Sequence, residues 1–393
     1  MPKTRHVSVG DGVLLLVGTM KGAFLVHADR SRKNWNVGGP YLAGEPIYAM
    51  AFDGRQGRRR LFAAGSNPVW GATLHTSDDF GRTWTNPENS PIRFPEGSGG
   101  ALKQIWQVTL GRPGEDNVLY AGVEPAALFE SRDAGTSWTL ARALWDHPHR
   151  PRWEPGFGGL CLHTICPAPD DPGRILVAIS SAGVYRTDDG GASWTTAHRG
   201  VRAEFRPDRY PEFGQCVHKI DGNAARPGRY FLQNHWGLYR TDDAGATWTD
   251  IADGVPSDFG FPVVCHPHDP DTAYIVPLES DNFRCTPEGK LRVYRTRNAG
   301  KSWQPFSKGL PQANAYETVL RDGMGVDALD PAGIYFGTRS GRLYASRDEG
   351  RSWKLLADGL PPIVCVKTAV IATTKPRKRA TRRAQRRRRV HRA

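Results

Sequence analysis

One octapeptide, Ser/Thr-x-Asp-x-Gly-x-Ser/Thr-Trp, limits what this 393-residue chain can fold into. It reads SDDFGRTW (Ser77 to Trp84), SRDAGTSW (Ser131 to Trp138), TDDGGASW (Thr187 to Trp194), TDDAGATW (Thr241 to Trp248), TRNAGKSW (Thr296 to Trp303) and SRDEGRSW (Ser346 to Trp353). A worn copy ends in Asn34-Trp35, and the seven tryptophans fall 49, 54, 56, 54, 55 and 50 residues apart. That period suits a four-stranded unit that cannot bury its apolar face alone and must stack on its neighbours. The octapeptide itself is turn chemistry. Its Asp can accept backbone N–H groups of its own turn, its Gly supplies a positive φ, and its Trp brings a large apolar area to wedge against a neighbouring sheet. Asp79, Asp133, Asp189, Asp243, Asn298 and Asp348 are therefore read as structural: equivalent groups spread around a ring cannot converge on one substrate.

Four strands can be placed in each repeat. In the second they are expected at Ile47 to Phe52, Arg60 to Ala64, Ala72 to Thr76 and from Trp84 onward. The first repeat lacks a first strand: Val13 to Gly18 and Ala23 to His27 match the second and third, and Trp35 opens the fourth. A lone strand near the other end, Ile363 to Ile371, supplies the missing one and closes the ring, which removes the open sheet edge. First strands are expected to begin near residues 47, 105, 161, 216, 261, 319 and 363. The fold class is all-β, a seven-bladed β-propeller over residues 1–372, followed by a disordered basic tail, 373–393.

Charge sets the tail apart. The formal net charge is +13, yet Lys375 to Ala393 hold 11 Lys or Arg and no acid, leaving 42 basic against 40 acidic residues elsewhere. The tail's expected partner is a polyanion, bound nonspecifically. No apolar run is long enough for a membrane span or a signal-peptide core, and six cysteines in a chain this long do not suggest a disulfide framework. These features lead to the expectation of a cytoplasmic protein with reduced thiols and no membrane partner.

The octapeptides, with phrases such as CHPHDPDTAYIV (Cys265 to Val276), resemble the Asp-box of the sialidase-like BNR repeat family, among WD40/YVTN/BNR-like bacterial propellers often labelled exo-α-sialidase or glycosyl hydrolase. The resemblance spans residues 12 to 371. It implies a propeller, and relatives of this kind include sialidases, xyloglucanases, sortilin-like receptors and photosystem assembly factors. Sialidases proper have six blades, an early Arg-Ile-Pro motif, an arginine triad and a Tyr/Glu pair. Here the blade count is seven, and Pro91-Ile92-Arg93-Phe94-Pro95 is a scrambled echo of the motif. Xyloglucanase-like enzymes join two seven-bladed propellers, and this chain has one.

If the octapeptides join third to fourth strands, they share one rim. The opposite rim then carries the blade links and the second-to-third-strand loops, including the long segments Leu140 to Leu160, His198 to Gln215 and Leu278 to Lys290. Near the starts of the first strands stand Tyr48, Trp106, His163, His218, Phe261 and Arg321, with His235 and Trp236 in a nearby loop. Tyr48, Trp106, His163, His218, His235, Trp236 and Arg321 are the expected ligand-binding set: imidazoles, indoles and a guanidinium suit an anionic or sugar-like ligand. No cofactor and no metal are assigned. A metal site from Cys161/His163 and Cys216/His218 is a third reading, although the spacing is unlike a zinc finger. Rim carboxylates (Glu124, Asp258, Glu279, Asp281, Glu317, Asp322) would serve a glycosidase only if two faced each other across a sugar, and Tyr316 next to Glu317 should diverge on a strand. The first reading is a noncatalytic binding or scaffold propeller for a polar small molecule, a glycan or a protein. The alternative is a sialidase-like glycoside hydrolase, and no catalytic residue is assigned.

Overall fold

Each octapeptide folds as a self-contained turn. The Ser131 hydroxyl donates to Asp133 Oδ1 (2.8 Å) and accepts the Gly135 N–H (2.9 Å), while the Asp133 carboxylate accepts the Ser137 N–H (2.8 Å) and hydroxyl (2.6 Å). The same four bonds recur around Asp79, Asp189, Asp243 and Asp348. At Asn298 the Oδ1 accepts the Ser302 N–H and the amide donates to Ser302 Oγ (2.9 Å), so one bond reverses its polarity. Two consecutive residues are left-handed, as in Ala134 (φ 57°) and Gly135 (φ 90°). Glycine takes that region freely, whereas the residue before it is held there by the surrounding bonds.

The computed structural model describes residues 4–67, 69 and 71–372. They form a seven-bladed β-propeller of antiparallel sheets, six with four strands and one with three. The closing strand Ile363–Ile371 pairs with Gly12–Thr19, from Ile371 opposite Gly12 to Ile363 opposite Thr19. It thereby completes a first blade with Gly22–Ala28 and Asn36–Tyr41. The basic segment 373–393 lies outside the described residues. No helix among those described is long and apolar enough to cross a membrane, and the six cysteines are free thiols.

Two expected strands are corrected. The second blade ends at Gly71–Ser77: after Trp84 one ladder-like bond forms, Thr85 N–H to Thr76 O (2.9 Å), and then Pro87 has no N–H to give. The chain instead crosses the blade, burying Ile92 and setting Phe94 against Trp145 and Phe129 (ring centroids 4.6 and 5.2 Å). The Pro91 to Pro95 phrase is thus a packing element. In the seventh blade the first strand is Met324–Val326, not a strand from 319. Val319 is fully buried, but the segment around it has no ladder partner.

The tryptophans lock each blade to the one before it. Trp248 packs among Leu176, Val184 and Ala197 and donates to Ala197 O (2.9 Å), and Trp303 donates to Ile251 O (2.8 Å). On the axis, the buried Asp322 carboxylate of the seventh blade accepts Lys219 Nζ of the fifth (2.8 Å) and Lys367 Nζ of the closing strand. A bridge between Asp322 and Cys365 joins the same two segments, so the seam is closed by both backbone and charge.

Candidate functional site

The first strands share a defect that shapes the site. Register shifts skip Tyr48 (between Ile47 and Ala49), Trp106 (Ile105 and Gln107), His163 (Leu162 and Thr164) and His218 (Val217 and Lys219). A similar shift spans Phe261 in the sixth blade, between Gly260 and Val263. A bulge bends the strand and re-aims its extra residue, so strict alternation no longer says where these side chains go.

They go to one end of the axis. A cavity of about 640 Å³ opens there, lined by Tyr48, Trp106, His218, His235, Trp236, Phe261 and Arg321, with Cys216, Arg284, Asp322 and Arg339 among its further walls. Its residues come from the starts of the first strands, the blade links and the second-to-third-strand loops, at the rim opposite the octapeptide turns. Six of the seven expected ligand-binding residues therefore meet. His163 does not: it is fully buried, with Nδ1 3.0 Å from Thr164 Oγ1 and Nε2 3.0 Å from Val217 O. His218 makes the matching contact one blade on, Nδ1 to Gly260 O (2.6 Å), but its other nitrogen faces Cys216 Sγ at 3.8 Å. The first histidine staples blades; the second staples and also reaches the cavity.

The aromatic walls are stacked on one another. The Arg321 guanidinium lies 5.3 Å from the Trp106 ring centre, and Tyr48 meets Trp106 edge-on at 5.2 Å. Trp236 lies between His235 (4.3 Å) and Phe205 (4.9 Å). Within the long link, Trp145 and Trp153 are buried, the latter donating to Tyr185 Oη (2.8 Å), and exposed Phe157 stands at the mouth.

Four carboxylates at this rim are held by partners. Glu154 pairs with Arg206 (2.9 Å), Asp281 with His235 (3.2 Å), Asp258 with Arg202 (3.1 Å), and Glu124 accepts Trp106 Nε1 (3.3 Å). Burial pushes the Asp322 carboxyl up, but the two lysine charges overcome it and hold the group well below the usual range. Glu317 is buried against Ser340 and Arg342, whereas Tyr316 is exposed beside Phe283; the two side chains part. Arg284, Arg321 and Arg339 have no carboxylate partner among the described residues.

The two Cys-x-His pairs also diverge. Cys161 is buried beside Arg321 (Sγ to Nη1 3.7 Å), and burial raises its thiol to about 11. Cys216 lines the cavity. Burial pushes its thiol up too, but the His218 and His235 imidazoles outweigh that and hold it well below its ordinary value. Burial disfavours the charge on His235, yet the neighbouring Cys216 and Asp281 outweigh it and raise the imidazole above its ordinary value. Sequence spacing singled out the two adjacent Cys-x-His pairs, whereas the structure joins Cys216 and His218 to the loop residue His235.

No protein-family model matches the chain. It is 26% identical over 196 residues to a probable oligoxyloglucan-reducing end-specific xyloglucanase of Neosartorya fischeri, covering 48% of this chain and 20% of that one. It is 34% identical over 74 residues to the vacuolar protein sorting/targeting protein 10 of Colletotrichum graminicola, covering 19% of this chain and 4% of that one. The matches thus span a fifth or less of these curated relatives. Among solved structures, YCF48 bound to D1 peptide has a TM-score of 0.51 at 15% identity, with 91% of this chain and 89% of that one covered. An ancestral GH74 enzyme has a TM-score of 0.55 at 17% identity, with 81% and 39% covered. At such identities the likeness establishes architecture alone: the chain is a seven-bladed β-propeller.

Proposed function

We propose that this chain is a binding propeller whose axial cavity, at the rim opposite the octapeptide turns, takes a small anionic ligand with a ring or sugar-like body. The observation that carries this reading is the set of three guanidiniums, Arg284, Arg321 and Arg339, that line one cavity without a carboxylate partner among the described residues. A guanidinium offers planar, charge-assisted donors to a carboxylate or phosphate, and Trp106, Trp236 and Tyr48 offer faces to stack on. A relative named as a xyloglucanase and a neighbour with a bound peptide make glycans and peptides the wider ligand classes to try. Glycoside hydrolysis is less well supported. It needs a carboxylic acid poised to protonate the leaving oxygen, and the cavity's Glu154, Asp281 and Asp322 are each paired with a basic side chain, Arg206, His235 and Lys219.

The test is calorimetric binding of sialic acid, glucuronic acid and a neutral xyloglucan oligosaccharide to wild type and to Arg321→Ala with Arg339→Ala. Anionic sugars should bind and lose at least about tenfold in affinity in the double variant, the worth of one charge-assisted hydrogen bond. Asp79→Asn on the other rim should bind as wild type does. Preference for the neutral sugar, indifference to the arginines, or turnover of any glycoside would overturn the reading.

A further inference from the structure

Cys216, His218 and His235 each present one donor atom, and the three atoms lie within 4.8 Å of one another at the wall of the cavity. Cys216 directly precedes the first strand of the fifth blade, Val217–Gly222, and His218 is its bulged residue. His235 sits in the loop between Tyr230–Asn234 and Leu238–Thr241 of the same blade. Both imidazoles are already oriented from behind. His218 Nδ1 is 2.6 Å from the Gly260 carbonyl, which can only accept, so Nδ1 carries the hydrogen and Nε2 offers its lone pair toward Cys216 Sγ. His235 Nε2 is 3.2 Å from the Asp281 carboxylate, which leaves Nδ1 as its available donor atom. A carbonyl or carboxylate behind each imidazole is the arrangement that fixes tautomer and raises basicity in metal-ligating histidines.

The one close pair fits in distance as well as in chemistry, and His235 would move in by up to about 1 Å. Around a tetrahedral zinc, with Zn–S about 2.3 Å and Zn–N about 2.0–2.1 Å, a sulfur and a nitrogen ligand stand about 3.5 Å apart. Cys216 Sγ and His218 Nε2 are 3.8 Å apart, within a few tenths of that value before any ion draws them in. The neighbouring blade is an internal contrast. Its Cys161 is buried against Arg321, its His163 has both nitrogens engaged, and its second-to-third-strand loop carries Ser180 and Ser181 instead of a histidine.

We propose that Cys216, His218 and His235 form a mononuclear site for a transition-metal dication of zinc type, with one coordination position open to the cavity. One thiolate and two imidazoles suit zinc or its neighbours and not magnesium or calcium. Three protein ligands with an open fourth position are the pattern of a metal that receives an exogenous ligand rather than one that only ties a fold together. Loading forms the sulfur–metal bond from a thiolate, so whatever proton the donor atoms carry is released to solvent. An anionic donor steered by Arg321 and Arg339 would take the open position. That clause rests on the ligand reading above; the metal site does not.

The experiment uses the full chain, stripped with a chelator, dialysed, and titrated with Zn²⁺ against a chromophoric competitor and separately with Co²⁺. Wild type should take up one equivalent and show, with cobalt, a thiolate-to-metal charge-transfer band and intense tetrahedral d–d bands. Cys216→Ser should lose the charge-transfer band, and His235→Gln should weaken Zn²⁺ binding by at least about tenfold. Cys161→Ser and Cys285→Ser should bind as wild type does. Zn²⁺ should also protect Cys216 from iodoacetamide, read by mass spectrometry. Absence of stoichiometric binding, binding that survives Cys216→Ser, or alkylation of Cys216 at an unchanged rate with Zn²⁺ present would overturn the site. The last result would leave a metal-free thiolate–imidazole pair. If Cys216→Ser fails a thermal-melt check, the wild-type cobalt spectrum and His235→Gln still decide. Loss of anion binding in the arginine variant with the zinc titration intact would sink the ligand reading alone.

Discussion

A single carboxylate in the octapeptide turn does several jobs at once, and the Asn298 copy shows which of them matter. Asn298 retains the acceptor for the Ser302 N–H and replaces an accepted hydroxyl bond by a donated one. Charge is therefore dispensable there, while an acceptor oxygen at that place is not. Asp348, the turn of the seventh blade, accepts from the Ser346 hydroxyl (2.7 Å), the Ser352 N–H (2.9 Å) and the Ser352 hydroxyl (2.6 Å). Asp348→Ala should cost about 1–2 kcal/mol, because the Ser352 N–H loses its partner, and Asp348→Asn should cost less than half of that. Denaturant unfolding of the two variants checks this. Equal losses would mean that charge, not the acceptor, holds the turn. The same scale explains why His163 and His218, twins in sequence, differ in use. Each donates across to the next blade, but a serine pair follows one blade's second strand and His235 follows the other's.

Among the elements, the closing strand bears most on integrity. Ile363–Ile371 buries Ile363, Val364, Cys365 and Val366 and pairs along the whole of Gly12–Thr19. It also bonds the seventh blade through Val366 N–H to Asp322 O (2.7 Å) and Thr368 Oγ1 to Val326 O (2.5 Å). Truncation after Pro361 should expose a long apolar edge at Gly12–Thr19 and leave an aggregating chain without a cooperative melt. Truncation after Ala372 should leave the melting temperature within a few degrees of the full chain. Light scattering and calorimetry of both shorter chains make the comparison, and a monomeric, cooperative Pro361 truncation would refute closure. The ring was legible because each turn and each tryptophan repeats its own local chemistry, and because a strandless first blade and a lone late strand complement each other. Two strands were misread where that chemistry competes with something else. Pro87 stops the second blade's ladder just after Trp84. Gly323 and Gly325 give the seventh blade's first strand little apolar signature, while the apolar Val319 and Leu320 mimic one.

At the scale of the whole molecule, the rim could be read from strand order, but the convergence of its residues could not. Bulges re-aim the first-strand residues Tyr48, Trp106, His163 and His218, and no residue type announces them. Strand order placed His163 with the others, whereas both its ring nitrogens are engaged inside the ring, on Thr164 Oγ1 and Val217 O, and it stays out of the cavity. Other groups spread around the ring make a collective response to acid. Burial holds His163 and His198 below their ordinary value, with the Arg321 and Lys219 charges adding to the effect at His163. As pH falls through about 6.5, the unfolded chain takes up those protons before the folded one does, so stability should begin to decline there. The turn carboxylates act lower. At Asp79 burial works upward, but bonds from Thr83 and Ser77 bring the carboxyl to about 2; Asp133, Asp243 and Asp348 are lowered in the same way. Their contribution is present above the ordinary carboxylate value and should be lost as pH falls from about 4 toward about 2. Asp221, raised by burial, runs the other way and makes the first limb shallower, whereas His235, raised above its ordinary value, acts only at higher pH than that limb. Urea midpoints followed from pH 7 to pH 2 should therefore fall in two limbs. His198→Gln should flatten the upper limb and leave the lower one, and Asp79→Asn with Asp133→Asn should do the reverse. Curves that stay parallel to wild type in both variants would show that neither the buried imidazoles nor the turns set the acid response of the ring.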